Sequence, residues 1–328
     1  MYEPVTGWGT GLPEARGVDL PDVSVSPEGD VCVLYREPSF VVVSDSDGRP
    51  KREIGRGIIK RPHGVTAGRE RLYVVDEGAD SVLVFTMAGD LVGRIGGGPS
   101  DPDFPRLGLH VDRIVAPLPP FTRPTRLAIA PWGDLYVSDG YGNCRIHRYT
   151  ADGELLGSWG APGSGPGEFR IPHAVSTDRQ GRVLVCDREN DRIQVFERDG
   201  RHLETWPDIQ RPQAVAELPG GGYAVAEGIR PRADGPEGPL PPETSGVAVL
   251  DRSGLVLSRT RTHPGQDAPL FLGAHSIAVD TSGDAYVSEC AASILRQYPD
   301  LGPADRPAIV KLRLVGKSVG TTVEQAVA

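Results

Sequence analysis

The chain has 328 residues, a net charge of −9, and 42 glycines with 31 prolines, while long helical patterns are scarce. No cluster of Lys and Arg forms the basic surface that nucleic-acid binding requires, and no apolar run approaches the roughly 20 residues of a membrane helix. These features argue against a nucleic-acid partner and a membrane span. They favour many short strands joined by tight turns.

The N-terminal stretch MYEPVTGWGTGLPEARG lacks the basic and apolar regions of a signal peptide. The cysteines show no CxxC spacing, so we interpret them as reduced structural thiols. They are Cys32, Cys144, Cys186 and Cys290. Both observations predict a cytoplasmic location.

Six similar units follow one another along the chain, beginning at Pro21, Pro62, Pro124, Pro172, Pro212 and Ala274. Each contains a strand, a tight glycine turn and a second strand, and usually a third and a fourth strand. The fourth unit shows all of them, as HAVSTD, RVLVCD, RIQVFER and HLETWP. Periods of about 40 to 50 residues with four short strands are typical of β-propellers. The sequence therefore predicts an all-β fold, a six-bladed β-propeller with four-stranded antiparallel blades around a central axis.

The units also predict the domain organisation. Residues 1–18 are expected to form an N-terminal segment, 19–316 a single propeller domain, and 317–328 a C-terminal tail. The second and fifth units are longer than the others, which predicts loop insertions near 97–120 and 229–245, both rich in proline and glycine. Long loops in compact folds often bind ligands.

One position near the start of each unit carries histidine in every second unit. We align Asp22, His63, Thr125, His173, Gln213 and His275 there. Alternate blades of a six-bladed ring lie about 120° apart, and equivalent residues of the inner strands face the axis at one height. Three imidazoles would therefore converge, and three nitrogen ligands with an open position are typical of a catalytic zinc-type site. We predict that His63, His173 and His275 bind a metal; the alternative is ordinary polar residues lining a wet channel.

A second position, about 15 residues further along each unit, is expected to line the same mouth of the propeller. It holds Arg36, Glu77, Gly140 followed by Tyr141, Arg188, Gly228 and Cys290. Arginine can clamp a carboxylate through two parallel hydrogen bonds, and a tyrosine near a cation loses its proton more easily and can act as a base. Arg36, Arg188 and Tyr141 are therefore candidate site residues, although each by itself could equally be a surface ion pair or a packed aromatic.

Several motifs together resemble NHL-repeat propellers, and among them the peptidyl-α-hydroxyglycine α-amidating lyases. They are VCVLYRE, RPHGV, VSDGYGNCRI, IPHAV followed by VCDRENDRIQVF, and GAHSIAV. The resemblance extends over residues 19–315. It implies zinc bound by His63, His173 and His275, a catalytic Tyr141, and substrate binding by Arg36 and Arg188.

The reaction implied by this resemblance splits a carbinolamide, N–C(OH), into an amide and glyoxylate. A metal would bind the hydroxyl oxygen and lower its pKa. A base, either Tyr141 or a hydroxide on the metal, would take the proton, and the C–N bond would break as the C=O forms. Arg36 and Arg188 would hold the carboxylate. The expected function is a metal-dependent, zinc-type lyase acting on a carbinolamide-like or hemiaminal-like small molecule.

Three positions depart from the resemblance. An aspartate that would bind a structural calcium ion is replaced by Ser276, which argues against that ion; Arg126 or water is the expected replacement. Gly142 stands where a half-cystine would follow the tyrosine, in agreement with a reducing compartment. Gly273 replaces a methionine near the third histidine, so the pocket wall and the substrate are expected to differ.

Two other functions stay open. Another metal-dependent hydrolase or lyase of specialised metabolism could use the same site, because a metal-activated water serves hydrolysis equally well. A non-catalytic NHL propeller could bind a protein or a ligand, since fold does not fix function. Three histidines suit several divalent transition metals, among which we predict zinc. The expected partner is a small molecule with a carboxylate or polar group.

Overall fold

The computed structural model describes residues 2–13, 15–97, 121–230, 245–261, 270–301 and 307–315. Six four-stranded antiparallel sheets follow one another along the described chain. Their innermost strands contact each other in a closed cycle, because the first and the last of them also touch. This arrangement confirms the predicted six-bladed β-propeller.

In the first five blades, the strands follow the chain from the axis outwards. Blades 1 to 3 consist of β2 (Asp22–Val25), β3 (Val31–Tyr35), β4 (Phe40–Ser44) and β5 (Pro50–Ile54); β6 (Pro62–Ala67), β7 (Arg71–Asp76), β8 (Ser81–Thr86) and β9 (Leu91–Gly96); and β10 (Arg126–Ile129), β11 (Leu135–Asp139), β12 (Arg145–Tyr149) and β13 (Leu155–Trp159). A short parallel pair, β14 (Ala161–Pro162) and β15 (Glu168–Phe169), precedes blade 4.

The other three blades repeat the pattern. They consist of β16 (Pro172–Thr177), β17 (Val183–Asp187), β18 (Arg192–Phe196) and β19 (His202–Trp206); β20 (Pro212–Glu217), β21 (Tyr223–Glu227), β22 (Gly246–Leu250) and β23 (Val256–Arg261); and β24 (Ala274–Val279), β25 (Ala285–Glu289), β26 (Ile309–Leu314) and β1 (Tyr2–Pro4). The helical segments are α1 (Ala291–Gln297) and the single 3-10 turns Glu77–Ala79, Arg188–Asn190 and Pro299–Leu301. Within the described ranges, no helix has the length and apolar character that crossing a bilayer requires.

Burial of the strands depends on their position within a blade. The middle strands β3 (VCVLY) and β4 (FVVVS) are buried along their whole length. Neighbouring blades cover both faces of these strands, so they need a nearly continuous apolar sequence. The outermost strand β5 (PKREI) is exposed at four of its five residues. This gradient explains why the apolar second strands were the clearest part of each repeat in the sequence.

The sixth blade joins the two ends of the described chain. Strand β1 pairs antiparallel with β26, with Tyr2 opposite Leu314. The segment 1–18, which was expected to precede the propeller, thus contributes the outer strand of a blade. Strand β1 has only three residues, which is too short for a recognisable strand pattern in the sequence. The insertions near 97–120 and 229–245 and the tail 317–328 lie almost wholly outside the described residues. The domain division as a whole stays a prediction.

Two glycines allow neighbouring blades to approach closely. Gly200, with φ +92°, packs on the ring of Trp159 from the preceding blade, and Gly254, with φ +85°, packs on Trp206 in the same way. A β-carbon at either position would overlap the indole, and the positive φ disfavours other residues as well. The repeated contact sets the outer strand of one blade against the next.

Buried carboxylates end the second strand of five blades, at Asp76, Asp139, Asp187, Glu227 and Glu289. Each accepts hydrogen bonds from the chain just before the inner strand of its own blade. Asp76 accepts from the N–H groups of Lys60 and Arg61 at 2.9 Å, and Asp187 accepts from that of Arg170 at 2.7 Å. Buried charges satisfied in this way stabilise a defined loop. The loop fixes the height at which the following residues face the axis.

Candidate metal centre

Three histidines from alternate blades meet at the axis of the propeller. His63 lies in β6, His173 in β16 and His275 in β24. Their ring centroids are 4.7 to 5.0 Å apart, and one ring nitrogen of each lies within 4.8 Å of the others. The structure therefore brings together the three residues that the sequence singled out.

A backbone carbonyl of the following blade orients each imidazole. The Nδ1 atoms of His63, His173 and His275 lie 2.8, 2.8 and 2.7 Å from the carbonyl oxygens of Thr125, Gln213 and Pro21. A carbonyl can only accept a hydrogen bond, so each Nδ1 carries the proton and each Nε2 keeps its lone pair. The same tautomer is thus imposed three times.

The three imidazoles are neutral at ordinary pH. Burial is the main reason that the pKa values of His63 and His173 lie far below the usual value, and neighbouring positive charges lower them further. Burial, assisted by Arg36, lowers the pKa of His275 to about 3. Neutral imidazole is the form that binds a metal. No proton therefore has to leave these side chains before an ion enters.

This donor set fits a divalent transition metal. Three imidazole nitrogens suit zinc and several of its neighbours in the first transition row. Zn–N bonds of about 2.0–2.1 Å would draw the rings slightly inward. A histidine whose second nitrogen donates to a carbonyl is also the arrangement that orients metal ligands in proteins.

Tyr141 lies directly against the histidines. Its hydroxyl oxygen is 2.8 Å from Nε2 of His63 and 3.1 Å from Nε2 of His173. One phenol hydrogen can satisfy only one of these two acceptors. Burial raises the pKa of Tyr141 above its usual value, and Arg188 and Arg36 offset only part of this rise. The hydroxyl thus lies against the ring nitrogens that remain free to bind a metal.

Blade 1 departs by one residue from the sequence alignment. Asp22 pairs with Leu34, two residues before Arg36, just as Gly64 pairs with Val75, two residues before Glu77. Pro21, whose carbonyl accepts from His275, therefore occupies the position equivalent to histidine. The alignment on proline was wrong for this blade because Pro21 itself stands at the histidine position.

Asp22 instead forms a buried ion pair with Arg126. Nη2 of Arg126 lies 3.2 Å from Oδ1 of Asp22, and Nη1 donates to Oγ of Ser276 at 2.9 Å. The second carboxylate oxygen accepts the N–H of Val65 at 2.8 Å. Ser276 also contacts Asp22 directly. The protein thus supplies its own cation next to the histidines; that Arg126 takes the place of a calcium ion stays a prediction.

We expect Arg126→Met to lower the free energy of unfolding by about 3–5 kcal/mol, because it leaves the buried Asp22 carboxylate without its counter-charge. Urea denaturation of the metal-free protein measures this change. The double variant with Asp22→Asn should recover part of the loss. As a control, Arg201→Met removes an exposed ion pair with Glu197 and should cost less than about 1 kcal/mol. Two results would contradict the role of Arg126 as the counter-charge of Asp22. One is a loss of unfolding free energy in Arg126→Met as small as that of the control, and the other is stabilisation of the wild-type protein by calcium.

A pocket with a volume of about 440 Å³ opens beside His275 and Tyr141. Arg36 and Arg188 line it, on the opposed blades 1 and 4. The guanidinium carbon of Arg188 lies 5.6 Å from the centre of the Tyr141 ring. Arg36, Arg188 and Tyr141 therefore share one pocket with His275, while their catalytic roles stay predictions.

Three further arginines line this pocket and were missed in the sequence. Arg61, Arg123 and Arg211 each stand directly before the proline that opens a repeat. The dipeptide Arg-Pro at the same place in three units was the available signal.

The wall beside the third histidine is built by a helix. Gly273 lies against Ile294 of α1, and a β-carbon at this glycine would collide with that side chain. Ile294 and Tyr298 both line the pocket. The absence of a side chain at position 273 thus makes room for α1, while a difference from the family in the pocket wall stays a prediction.

A single repeat of the chain matches a known sequence family. The family model of the NHL repeat matches residues 169–196, which cover β16 to β18 of blade 4.

Several curated proteins are similar to longer stretches. The chain is 32% identical to human NHL repeat-containing protein 3 over 181 residues, 51% of this chain and 49% of that protein. It is 32% identical to peptidyl-glycine alpha-amidating monooxygenase A of Xenopus laevis over 209 residues, 58% of this chain and 20% of that protein. It is 30% identical to peptidyl-alpha-hydroxyglycine alpha-amidating lyase 1 of Drosophila melanogaster over 174 residues, 49% and 30% of the two chains. The chain spans about half the length of the first relative and less of the other two.

Solved structures support the fold. A streptogramin B lyase is 14% identical with a TM-score of 0.54, covering 95% of this chain and 96% of that one. The WD40 β-propeller domain of Doa1 is 12% identical with a TM-score of 0.53, covering 91% and 79%. These matches, with the NHL repeat and the amidating-lyase relatives, confirm the expected resemblance to NHL-type propellers and to amidating lyases.

Proposed function

We propose that this protein is a metal-dependent lyase that cleaves the C–N bond of a carbinolamide-like or hemiaminal-like small molecule. The observation that supports it best is the meeting of three neutral imidazoles and one buried tyrosine hydroxyl beside an arginine-lined pocket. The similarity to proteins named as amidating lyases points to the same chemistry.

His63, His173 and His275 would hold the ion, which we propose to be zinc. A divalent ion bound there would polarise a hydroxyl oxygen and lower its pKa. The matched tautomers of the three histidines leave each Nε2 lone pair available to the ion.

The protein's own residues would handle the proton and the carboxylate. Tyr141 would take the proton of the substrate hydroxyl and return it to the leaving nitrogen as the C=O forms and the C–N bond breaks. Arg188 and Arg36 favour the deprotonated phenol against the effect of burial. The same two guanidinium groups would hold the carboxylate that becomes part of glyoxylate. The cleavage needs no other reactant, because the proton that leaves the substrate hydroxyl is the one that the leaving nitrogen gains.

The test of this proposal is glyoxylate release from α-hydroxyhippurate by metal-replete protein. We expect glyoxylate and benzamide in equal amounts, in a reaction that chelation abolishes. A protein that binds about one metal ion per chain but releases no glyoxylate would favour another metal-dependent hydrolase or lyase. A protein that binds no metal after metal-replete purification would favour a non-catalytic propeller.

We expect Arg188→Ala and Arg36→Ala to raise KM for α-hydroxyhippurate by about 10- to 100-fold, because each removes charge-assisted hydrogen bonds to the carboxylate. Initial rates of glyoxylate release measure the effect, and kcat should change less than KM. Arg201→Ala, at an exposed position, is the control. An unchanged KM in both variants would remove the carboxylate-binding role.

We also propose a cytoplasmic or similarly reducing location and a small-molecule partner with a carboxylate, without nucleic-acid or membrane partners. All four cysteines are buried and free, as a reducing compartment predicts. The pocket volume of about 440 Å³ is of the size that holds a small molecule.

A further inference from the structure

The pocket beside the histidines holds more positive charge than one carboxylate can neutralise. Among the described residues that line it are five arginines and two glutamates, in a protein whose net charge is −9. Asp19 lies 3.8 Å from Arg36 and offsets part of that excess. Clefts lined by one sign of charge concentrate ligands of the opposite sign.

Two of these arginines are held in the same way by equivalent parts of the repeat. The backbone N–H of Arg123 donates to Asp80 at 2.8 Å, and that of Arg211 donates to Asp191 at 2.8 Å. Both arginines adopt positive φ, +62° and +38°. Each aspartate follows a single 3-10 turn and accepts from the loop of the next blade. The construction fixes both guanidinium groups over the pocket.

The two arginines differ in the nitrogen atoms through which each contacts its glutamate partner. Glu77 accepts from Nε and Nη2 of Arg123, at 2.8 and 2.6 Å. Glu189 instead accepts from Nη1 of Arg211 at 2.9 Å and forms an ion pair with its Nη2 at 2.8 Å. Nε of Arg211 is buried and makes no hydrogen bond within the described residues. Arg211 therefore keeps a donor for a ligand.

Glu189 also holds Arg188 beside Arg211. Nε of Arg188 donates to it at 2.9 Å, while Nη2 of Arg188 is buried without a hydrogen bond among the described residues. Burial and the nearby charge of Arg188 lower the pKa of Arg211. Two desolvated guanidinium groups share one carboxylate here. A buried donor without a partner is costly, so an anionic group that reached either donor would stabilise this part of the pocket.

We propose that the pocket binds a dicarboxylate, with one acid group between Arg36 and Arg188 and the second at Arg211. The proposal rests on the proposed function only for the placement of the first acid group. It implies that the substrate carries a second carboxylate on the part that leaves as the amide. Arg211 is a binding residue for that group and takes no part in bond cleavage.

The test is isothermal titration of zinc-loaded protein with succinate, glutarate and adipate, each against the monoacid of equal chain length, butyrate, pentanoate and hexanoate. We expect at least one dicarboxylate to bind about 10-fold or more tightly than its monoacid, since the second group gains charge-assisted hydrogen bonds. Arg211→Gln should abolish this preference and leave monoacid affinity within about twofold, because the monoacid uses only the first subsite. Arg211→Lys should keep part of the preference, and Arg201→Gln should keep all of it.

Three results would overturn the proposal: equal affinity for mono- and dicarboxylates in the wild-type protein, a preference that survives Arg211→Gln, or equal loss of both ligands in folded Arg211→Gln. The last would make Arg211 a structural residue only. Binding is measured without turnover. A failure to release glyoxylate would therefore remove the lyase proposal and leave this one to be decided by the titrations.

Discussion

Replacing His173 by alanine should remove the metal and the activity together. The wild-type protein should bind about one divalent transition metal per chain, and the variant should bind it more than about 100-fold less tightly, because two imidazoles cannot close a three-nitrogen site. Metal analysis after dialysis and a zinc titration against a chromophoric chelator measure the loss. Glyoxylate release should fall to background.

The control for this change is His202→Ala. His202 is only partly buried on the outer strand β19, and its Nε2 is 2.9 Å from the hydroxyl of Thr205. The His202→Ala variant should bind as much metal as the wild-type protein. A His173→Ala protein that keeps full metal content and is folded by circular dichroism would show that the ion, if present, binds elsewhere, and the proposed centre would be abandoned.

Tyr141→Phe should reduce kcat by about 10²- to 10⁴-fold, the usual contribution of a positioned acid or base. Metal content should stay at the wild-type level, since the phenol contacts the histidines but the carbonyls of neighbouring blades orient them. KM should change little, because the carboxylate contacts are intact. Kinetics of glyoxylate release and metal analysis on the same preparation separate these effects.

Tyr149→Phe is the matched control, because Tyr149 is also buried but lies in β12 and packs on Phe121 and His147. It should retain nearly full activity. Unchanged turnover in Tyr141→Phe would assign proton transfer to another group. Loss of the metal in that variant would instead show that Tyr141 acts by holding His63 and His173 in place.

The fold was predictable because each blade needs the same few features. The middle strands are covered on both faces and therefore read as apolar runs, and the turns need glycine at positive φ, so six imperfect copies of one pattern remain visible. The histidines were predictable for the same reason. Residues at equivalent positions of the inner strands lie at the same height along the propeller axis.

The repeat also explains one residue that was placed wrongly. The first unit begins with a proline and an aspartate, where the second and fourth units have a proline and a histidine. Strand pairing shows that Pro21 takes the histidine position and Asp22 the next one. Sequence similarity could not reveal this shift, because the register is set by pairing with β3 rather than by residue type.

The number of blades, the three converging histidines and several residues of the pocket rim could be predicted from the repeated sequence pattern alone. The ion pairs Arg126–Asp22 and Arg211–Glu189 and the pairing of strand β1 with β26 became visible only in the folded chain. A repeat shows what each blade needs for itself, whereas these contacts join residues of different blades or distant parts of the chain, which no single unit specifies.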